Sequence, residues 1–243
     1  GGMNRAMYAA ASGMAAQQTQ LEIVANNLAN ADVAGFKGAA ATFEDVRAGT
    51  IGLGTTSVGK HPVFVQGKLV RSGGPFDVAI DGGGFFVVER GHERAYTRNG
   101  EFARAGDGSL RNAEGWTLHG VRIPPDALSV RVERDGRVLI DTASTHGRPI
   151  ARMRLATFAS PEALRPIGGA LFESTEESGR PRTIAPGAHD GPAIAFGMLE
   201  RSNVSIVEAM MQILGAQRAY EANAKGVQAA DEMLRIANNL HRG

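Results

Sequence analysis

The stretch "VANNLANADVAGFKG", Val24 to Gly38, ends one kind of sequence pattern and begins another. Before it, methionine or leucine recurs every seven residues, at Met7, Met14, Leu21 and Leu28. A sustained seven-residue apolar repeat is typical of a helix in a coiled coil. Gly35 and Gly38 are natural helix breakers. The sequence therefore predicts one helix from about residue 4 to about residue 31.

The same stretch holds Asn26, Asn27 and Asn30, although asparagine is a poor helix former. The tetrapeptide Ala-Asn-Asn-Leu occurs in it at residues 25–28 and again at residues 237–240. Asparagine at a helix interface can fix the register through hydrogen bonds. Alternatively, these asparagines mark helix ends, where asparagine caps well. We favour the interface role for Asn26 and Asn27.

A second helix is predicted near the C-terminal end. Ser205 and Glu208 have the spacing of a capping box, so a helix begins there. Downstream, residues follow alternating spacings of four and three, which again indicates a coiled-coil register. These residues are Ile206, Met210, Ile213, Gln217, Tyr220, Ala224, Val227, Asp231 and Leu234.

The middle of the chain is predicted to be β-structure. Short apolar or alternating runs such as "FDVAI", "GFFVVER" and "RVLIDT" are bounded by Gly, Asp and Asn. "AGDGSL" at 105–110 and "ERDGRV" at 133–138 carry Asp-Gly dipeptides, which favour hairpin turns. All ten prolines lie between His61 and Pro192, outside both predicted helices. The sequence therefore predicts a compact antiparallel β-domain.

These patterns predict an α+β fold. Residues 3–35 and 201–243 are predicted to pair as a discontinuous helical coiled-coil assembly domain. Residues 36–69 are predicted to be an extended connector, and residues 70–200 a β-rich outer domain. Both helices are rich in methionine, alanine and glutamine and poor in leucine, so an isolated pair is expected to be only marginally stable. Neighbouring copies would supply the missing stability.

Composition excludes several classes of function. The chain has 26 basic and 25 acidic residues, so no strong field attracts nucleic acid. It has no cysteine, which excludes disulfides and thiolate metal sites. The first residues lack an uninterrupted apolar core, so we expect neither a cleaved signal peptide nor a membrane span.

No residue set predicts catalysis, a cofactor or a metal. The six histidines never fall at the His-x-x-x-His spacing that would place two zinc ligands on one helix face. "DGGGFF" at 81–86 is expected to be a tight turn entering a strand, because it lacks the Lys-Ser/Thr of a phosphate loop. Asp77 and Asp81 would lie about 13 Å apart on a strand, which does not suit a glycosidase. Trp116 is expected to pack in the β-domain, with carbohydrate stacking as the alternative.

Three long motifs resemble segments of one known protein family. "VANNLANADVAGFKG", "VFVQGKLVRSGGPFDVAIDGGGFFVV" and "GMLERSNVSIVEAMMQILGAQRAYEANAKGVQAADEMLRIANNL" resemble, in the same order, segments of the bacterial flagellar axial proteins of the rod and hook group. Within that family, "TFEDV" and "QRAYEANAKGVQAADEML" look closest to the distal rod type. Only residues 47–60 separate "TFEDV" from the β-domain, which is shorter than in that type, so the proximal rod type is the alternative.

The resemblance implies a structural subunit of the basal-body rod in the periplasm. It would be exported through the flagellar type III apparatus without a cleaved signal peptide. It would polymerise with itself and with other rod and hook subunits, and transmit torque from motor to hook. It would bind no nucleic acid and no small-molecule substrate. A less favoured alternative is a β-domain on a helical stalk that binds or hydrolyses cell-wall glycan.

The resemblance adds Arg218 and Tyr220 to the helix positions predicted to make subunit contacts. The full predicted set of assembly residues is Met7, Met14, Leu21, Asn26, Asn27, Leu28, Asn30, Ile206, Met210, Ile213, Gln217, Arg218, Tyr220, Val227 and Leu234.

Overall fold

A computed structural model describes residues 2–48 and 51–243, which divide into two compact units. The helical unit comprises the described residues within 1–29, 39–61 and 205–243. The β unit comprises residues 30–38 and 62–204. The predicted α+β fold is confirmed, with helices at both ends and mostly antiparallel β-structure between them.

The helical unit pairs the two ends of the chain. Helix α1 spans Gly2–Ala29 and helix α2 spans Ile206–Leu240, and the two pack against each other. The predicted pairing of distant segments is therefore confirmed. At the start of α2, the Ser205 hydroxyl accepts a hydrogen bond from the backbone N–H of Glu208 at 3.3 Å. The hydroxyl satisfies one of the free N–H groups of the first turn, as its spacing predicts.

Residues 36–69 are not the extended connector that the sequence predicts. Strands β1 (Ala39–Ala48) and β2 (Ile51–Pro62) form a two-stranded sheet within the helical unit. The hydroxyl of Ser12 on α1 accepts a hydrogen bond from the backbone N–H of Thr55 at 3.0 Å. Glycine obscures the strand pattern of β2, and β1 begins with three alanines, which favour strands little. Pairing between the two long strands satisfies their backbone groups. The assembly domain predicted at residues 3–35 and 201–243 thus gains most of that segment.

The strands of the β unit are short and follow one another closely. They are β3 Leu69–Arg71, β4 Val78–Asp81, β5 Phe85–Arg90, β6 Glu93–Thr97, β7 Ala103–Arg104, β8 Ser109–Arg111, β9 Thr117–Arg122, β10 Ser129–Val132, β11 Arg137–Asp141, β12 Arg148–Arg152, β13 Leu155–Thr157, β14 Arg165–Gly168, β15 Leu171–Glu173, β16 Arg182–Ile184, β17 Ala193–Phe196 and β18 Met198–Glu200. A 3₁₀ turn at Pro161–Ala163 precedes β14.

The largest sheet of the β unit has the order β14-β15-β6-β5-β9-β8-β7, with β13 also pairing with β5 and β16. Strands β10, β11 and β12 form a second sheet. Two further antiparallel pairs, β3 with β18 and β4 with β17, join the beginning of the unit to its end. The last two strands of the β unit therefore pair with its first two.

Two apolar cores stabilise the β unit. The larger includes Ile80, Phe86, Val88 and Leu155, each at most 1% exposed, together with Trp116. The smaller is mainly aromatic: Phe64 meets Phe85 and Phe172 edge to face, and Phe158 meets Phe85 and Tyr96 in the same way. Such contacts add to the free energy gained by burying the rings.

Both predicted Asp-Gly turns are hairpin turns with the same hydrogen bonds. The N–H of Ala105 donates to the Ser109 carbonyl at 2.8 Å, and Glu133 N–H donates to the Arg137 carbonyl at 2.9 Å. Gly108 and Gly136 have φ of +83° and +85°, a region that favours glycine. The turn chemistry read from the sequence is confirmed.

Candidate assembly surface

Helix α1 presents its seven-residue repeat toward the rest of the helical unit. Met7, Met14, Leu21 and Leu28 are all half-buried, and Val24 is buried. Because α1 packs against both α2 and β1, it has partners on two sides. The α1 repeat thus coincides with side chains that the single chain already partly covers.

Helix α2 buries a different face from the one that its large apolar residues predict. Its buried residues are Ala209, Ala216 and Ala230, spaced by multiples of seven. Of the predicted repeat, Ile213, Val227 and Leu234 are half-buried, as are Ala224 and Asp231, whereas Ile206, Met210, Gln217 and Tyr220 are exposed. At Met210, Gln217 and Asp231, the buried residue is the one immediately before the predicted one.

Small side chains explain this shift. Alanine lets two helix backbones approach closely, so the face that carries Ala209, Ala216 and Ala230 fits against α1. The close approach is visible at Gly13, where an added Cβ would lie 3.0 Å from Nδ2 of Asn223. The larger Met210 side chain is thereby left on the outer surface of the pair.

The exposed surface of α2 is unusually apolar. Val207, Met211 and Leu240 are 69%, 68% and 76% exposed. The large apolar residues exposed on the helix are Ile206, Val207, Met210, Met211, Leu214, Tyr220, Met233, Ile236 and Leu240. Burying one large apolar side chain is worth about 1.5–3 kcal/mol, and an exposed patch of this kind marks a surface that binds protein. This helix surface is the candidate assembly site.

Asn27 holds the beginning of β1 against the end of α1. Its carboxamide donates to the Ala39 carbonyl at 2.9 Å and accepts from the Ala39 N–H at 2.8 Å. The side chain therefore pairs with Ala39 as a neighbouring strand would. Asn30 is half-buried, and Asn26 and Arg218 are exposed. The subunit contacts predicted for all these residues stay predictions.

A buried ion triad of Lys37, Arg98 and Glu200 lies inside the β unit. The Lys37 ammonium donates to one Glu200 carboxylate oxygen, and the Arg98 guanidinium donates to the other at 2.8 Å. The three side chains are at most 5% exposed. Burial lowers the pKa of Lys37 below its ordinary value, and the Glu200 carboxylate opposes that shift.

Asn203 organises the backbone next to this triad. Its carboxamide accepts from the Gly38 N–H at 2.8 Å and donates to the carbonyls of Val63 and Val65 at 2.7 and 3.0 Å. Its own N–H donates to the Phe36 carbonyl at 3.2 Å. One side chain therefore connects three segments that are far apart in sequence.

Sequence reasoning missed Lys37, Arg98, Glu200 and Asn203. The four residues are charged or polar, and local patterns place such residues on the surface. Lys37 and Glu200 are 163 positions apart. The only local signal is that Lys37 stands between an aromatic residue and a glycine, which does not identify a partner.

The β unit offers no surface for stacking a sugar at Trp116. The ring is 4% exposed, and the guanidinium carbon of Arg90 lies 4.5 Å from its centroid. That cation covers the face of the ring, so the predicted packing role of Trp116 agrees with its place in the larger core.

The glycine-rich stretch at 82–84 is a turn that leads into β5, as predicted. The carbonyls of Gly82 and Gly84 accept hydrogen bonds from Nη1 of Arg98 at 2.8 and 2.7 Å. Carbonyl oxygens that face a cation would repel a phosphate, so this turn does not form a phosphate site.

The described residues show neither a metal-binding cluster nor a helix that could span a membrane. Across residues 2–48 and 51–243, no group of three or more histidine, aspartate or glutamate side chains could hold a metal ion. Within the same described residues, neither helix is long and apolar enough to cross a membrane.

A helix pair formed by both chain ends, with large apolar side chains exposed on α2 and an antiparallel β unit between the two helices in the sequence, is typical of structural proteins that assemble through their helices. Family models agree with this class. Residues 7–37 match the flagella basal body rod protein model, and residues 79–140 match the D1 domain of the flagellar hook protein FlgE/F/G model. Residues 196–240 match the C-terminal model of the flagellar basal body rod FlgEFG proteins.

Relatives match over nearly the whole chain. The flagellar basal-body rod protein FlgG of Borreliella burgdorferi is 37% identical over 99% of this chain and 100% of its own length. FlgG of Bacillus subtilis is 31% identical, with the same coverage. FlgF of Caulobacter vibrioides is 33% identical over 97% of each chain. The chain therefore belongs to the flagellar basal-body rod protein family, and the predicted resemblance to that family, with the distal type favoured, is confirmed.

Proposed function

We propose that this rod subunit polymerises through α1 and α2 into the periplasmic shaft that carries torque from motor to hook. The observation that carries the proposal is the exposed apolar surface of α2. Within the chain, the buried residues of α2 are alanines, whereas its three methionines and most of its isoleucines and leucines are exposed. Covering these side chains with neighbouring copies would gain free energy that a single chain cannot.

The expected partners are further copies of this chain and other rod and hook subunits. The predicted positions Met210, Gln217, Arg218 and Tyr220 lie on exposed parts of α2, where a neighbour can reach them. This role needs no catalysis, cofactor, nucleic acid or small-molecule substrate. The three family models, which together span both helices and part of the β unit, support it.

Electron microscopy of the concentrated full chain tests polymerisation. We expect tubes or filaments from the natural chain and none from the double variant Met211→Ser, Leu214→Ser, because both side chains are more than half exposed on one face of α2. Gln212→Ser is the matched control, since it changes an exposed polar residue of the same turn. Far-UV circular dichroism of the dilute variants checks that the helices are intact. Polymers of the double variant like those of the natural chain would contradict the proposal.

We also infer export through the flagellar type III apparatus without removal of an N-terminal signal. Helix α1 begins its heptad repeat at Met7 and packs against α2, so removal of this segment would take away the partner of α2. The absence of cysteine suits a chain that passes through a channel unfolded, because no disulfide can form beforehand. N-terminal sequencing of the protein from isolated basal bodies should find Met7; a start beyond it would contradict this inference.

A further inference from the structure

The buried ion triad of Lys37, Arg98 and Glu200 holds two cations and one carboxylate. Arg98 has further partners, because its guanidinium also donates to the carbonyls of Ile80, Gly82 and Gly84. Lys37 has fewer, since its ammonium donates to Glu200 and to the Val65 carbonyl, the latter at 2.8 Å. A buried cation is costly without a counter-charge. The burial of Lys37 therefore depends on the Glu200 carboxylate.

Lys37 lies in residues 30–38, which are the first residues of the β unit in the sequence and are called the N-terminal segment below. The backbone of this segment is held by the same distant region that supplies Glu200. Gly35 N–H donates to the Glu200 carbonyl at 2.7 Å, and Gly38 N–H donates to Asn203 Oδ1 at 2.8 Å. Gly35 has φ of +66°, and an added Cβ would lie 2.3 Å from the carbonyl carbon of Arg98, so the segment passes directly against Arg98.

The rest of the β unit does not need this segment to complete its cores. Neither apolar core includes a residue of 30–38. Glu200 itself is placed by β18, which pairs with β3 in the register Glu200 opposite Leu69. The Gly67 N–H also donates to the Glu200 carboxylate at 2.9 Å. The carboxylate is thus positioned by the β unit, and the N-terminal segment docks onto it.

We propose that Glu200 is a charge-dependent docking point: its carboxylate holds the N-terminal segment in place by neutralising Lys37. Loss of that carboxylate releases residues 30–38 as a local unit while the sheet of β5 and β6 stays folded. The inference concerns the single chain and does not rest on polymerisation. It assigns to Lys37 and Glu200 a role in anchoring the segment that follows α1.

Hydrogen exchange of the full chain at a dilution where it is monomeric tests the proposal. In Glu200→Gln, we expect peptides covering residues 30–38 to exchange about tenfold faster, with peptides from β5 and β6 changed by less than about twofold. Glu89→Gln is the matched control, since it removes a more exposed carboxylate that pairs with Arg94 in the same unit. In this control, residues 30–38 should exchange as in the natural chain.

The double variant Lys37→Met, Glu200→Gln gives the decisive comparison. It removes one of the two cations that Glu200→Gln leaves without a counter-charge, while Arg98 keeps its three carbonyl partners, so protection of residues 30–38 should return toward the natural value. Lys37→Met alone should differ from the natural chain by less than about threefold, because Glu200 keeps Arg98 and the Gly67 N–H as partners.

Three results would overturn the proposal. Natural protection of residues 30–38 in Glu200→Gln would mean that docking does not need the carboxylate. Equal acceleration in β5 and β6 would mean that the segment does not open locally. If Glu200→Gln does not fold, the double variant decides: a folded, protected segment supports the proposal, and an unfolded or unprotected one overturns it.

Discussion

The β unit and the helical unit differ in how far they bury their large apolar side chains. In the β unit, Phe86, Ile80 and Leu155 are at most 1% exposed. In α2, the buried residues are alanines, and Met211 and Leu214 are more than half exposed. The β unit therefore covers its own large side chains, whereas the helical unit has more apolar surface than its own chain covers. We therefore expect neighbouring molecules to cover the apolar side chains that the helical unit leaves exposed.

The largest expected effect is the contrast between a core substitution in the β unit and a surface substitution in α2. Phe86→Ala should lower the free energy of unfolding by about 3–5 kcal/mol, because it removes a large side chain and leaves a cavity in a closed core. Met211→Ala should change that free energy by no more than about 0.5 kcal/mol, since its side chain is already exposed. Urea titration of the dilute protein measures both. A loss for Met211→Ala as large as that for Phe86→Ala would abolish the contrast.

An intermediate effect is expected at the alanine face of α2. Ala216→Leu should cost about 1–3 kcal/mol, because a larger side chain forces apart two helices that approach closely at alanine. Gln212→Leu, at an exposed position of the same helix, is the control and should cost little. Thermal melts followed by far-UV circular dichroism compare the two. Equal melting temperatures would show that the predicted register, rather than the alanine face, packs against α1.

A smaller effect is expected from substitutions in the repeated Ala-Asn-Asn-Leu tetrapeptide. Asn27→Ala should cost about 1–2 kcal/mol, because Ala39 loses a partner for both its N–H and its carbonyl. Asn239 occupies the same place in the second copy and is exposed, so Asn239→Ala should stay within about 0.5 kcal/mol of the natural chain. Urea titration distinguishes them. Equal losses would mean that both copies serve the same purpose in the single chain.

The smallest effect concerns a hairpin turn of the β unit. The Ser109 hydroxyl and backbone N–H hold the pKa of Asp107 at about 2, below its ordinary value of 3.8. The ionised form is therefore favoured in the folded state, so its contribution is present above the ordinary pKa and is lost as the pH falls toward about 2. Asp107→Asn should be less stable near neutral pH and should lose less stability between about pH 4 and about pH 2. Urea midpoints across that range provide the measurement, and parallel curves would contradict it.

Local sequence signals predicted the elements whose causes are local. The Ser205 cap, the Asp-Gly turns and the heptad repeat of α1 all depend on residues within a few positions of one another. Short-range chemistry of this kind is readable from one chain. The order of helix, β-structure and helix followed from the same signals.

The remaining features depend on partners that a single sequence does not reveal. Ile206, Met210 and Gln217 follow a heptad spacing. Such a spacing identifies one face of a helix but does not show which partner packs against that face. Strand β2 lies in a glycine- and threonine-rich stretch, and β1 begins with three alanines, so their pairing leaves little local signal. The contact between Lys37 and Glu200 joins residues 163 positions apart. Long-range pairing of charged residues leaves no periodic pattern, so only the structure reveals it.

The division into units has a consequence for proteolytic nicking. The chain passes from one unit to the other four times, after residues 29, 38, 61 and 204. Whichever one of these passages a protease cuts, three intact passages still tether the two units covalently. In a linear two-domain protein, a single cut in the linker frees both halves. A subunit built in this way tolerates a broken backbone at any one passage without shedding a domain.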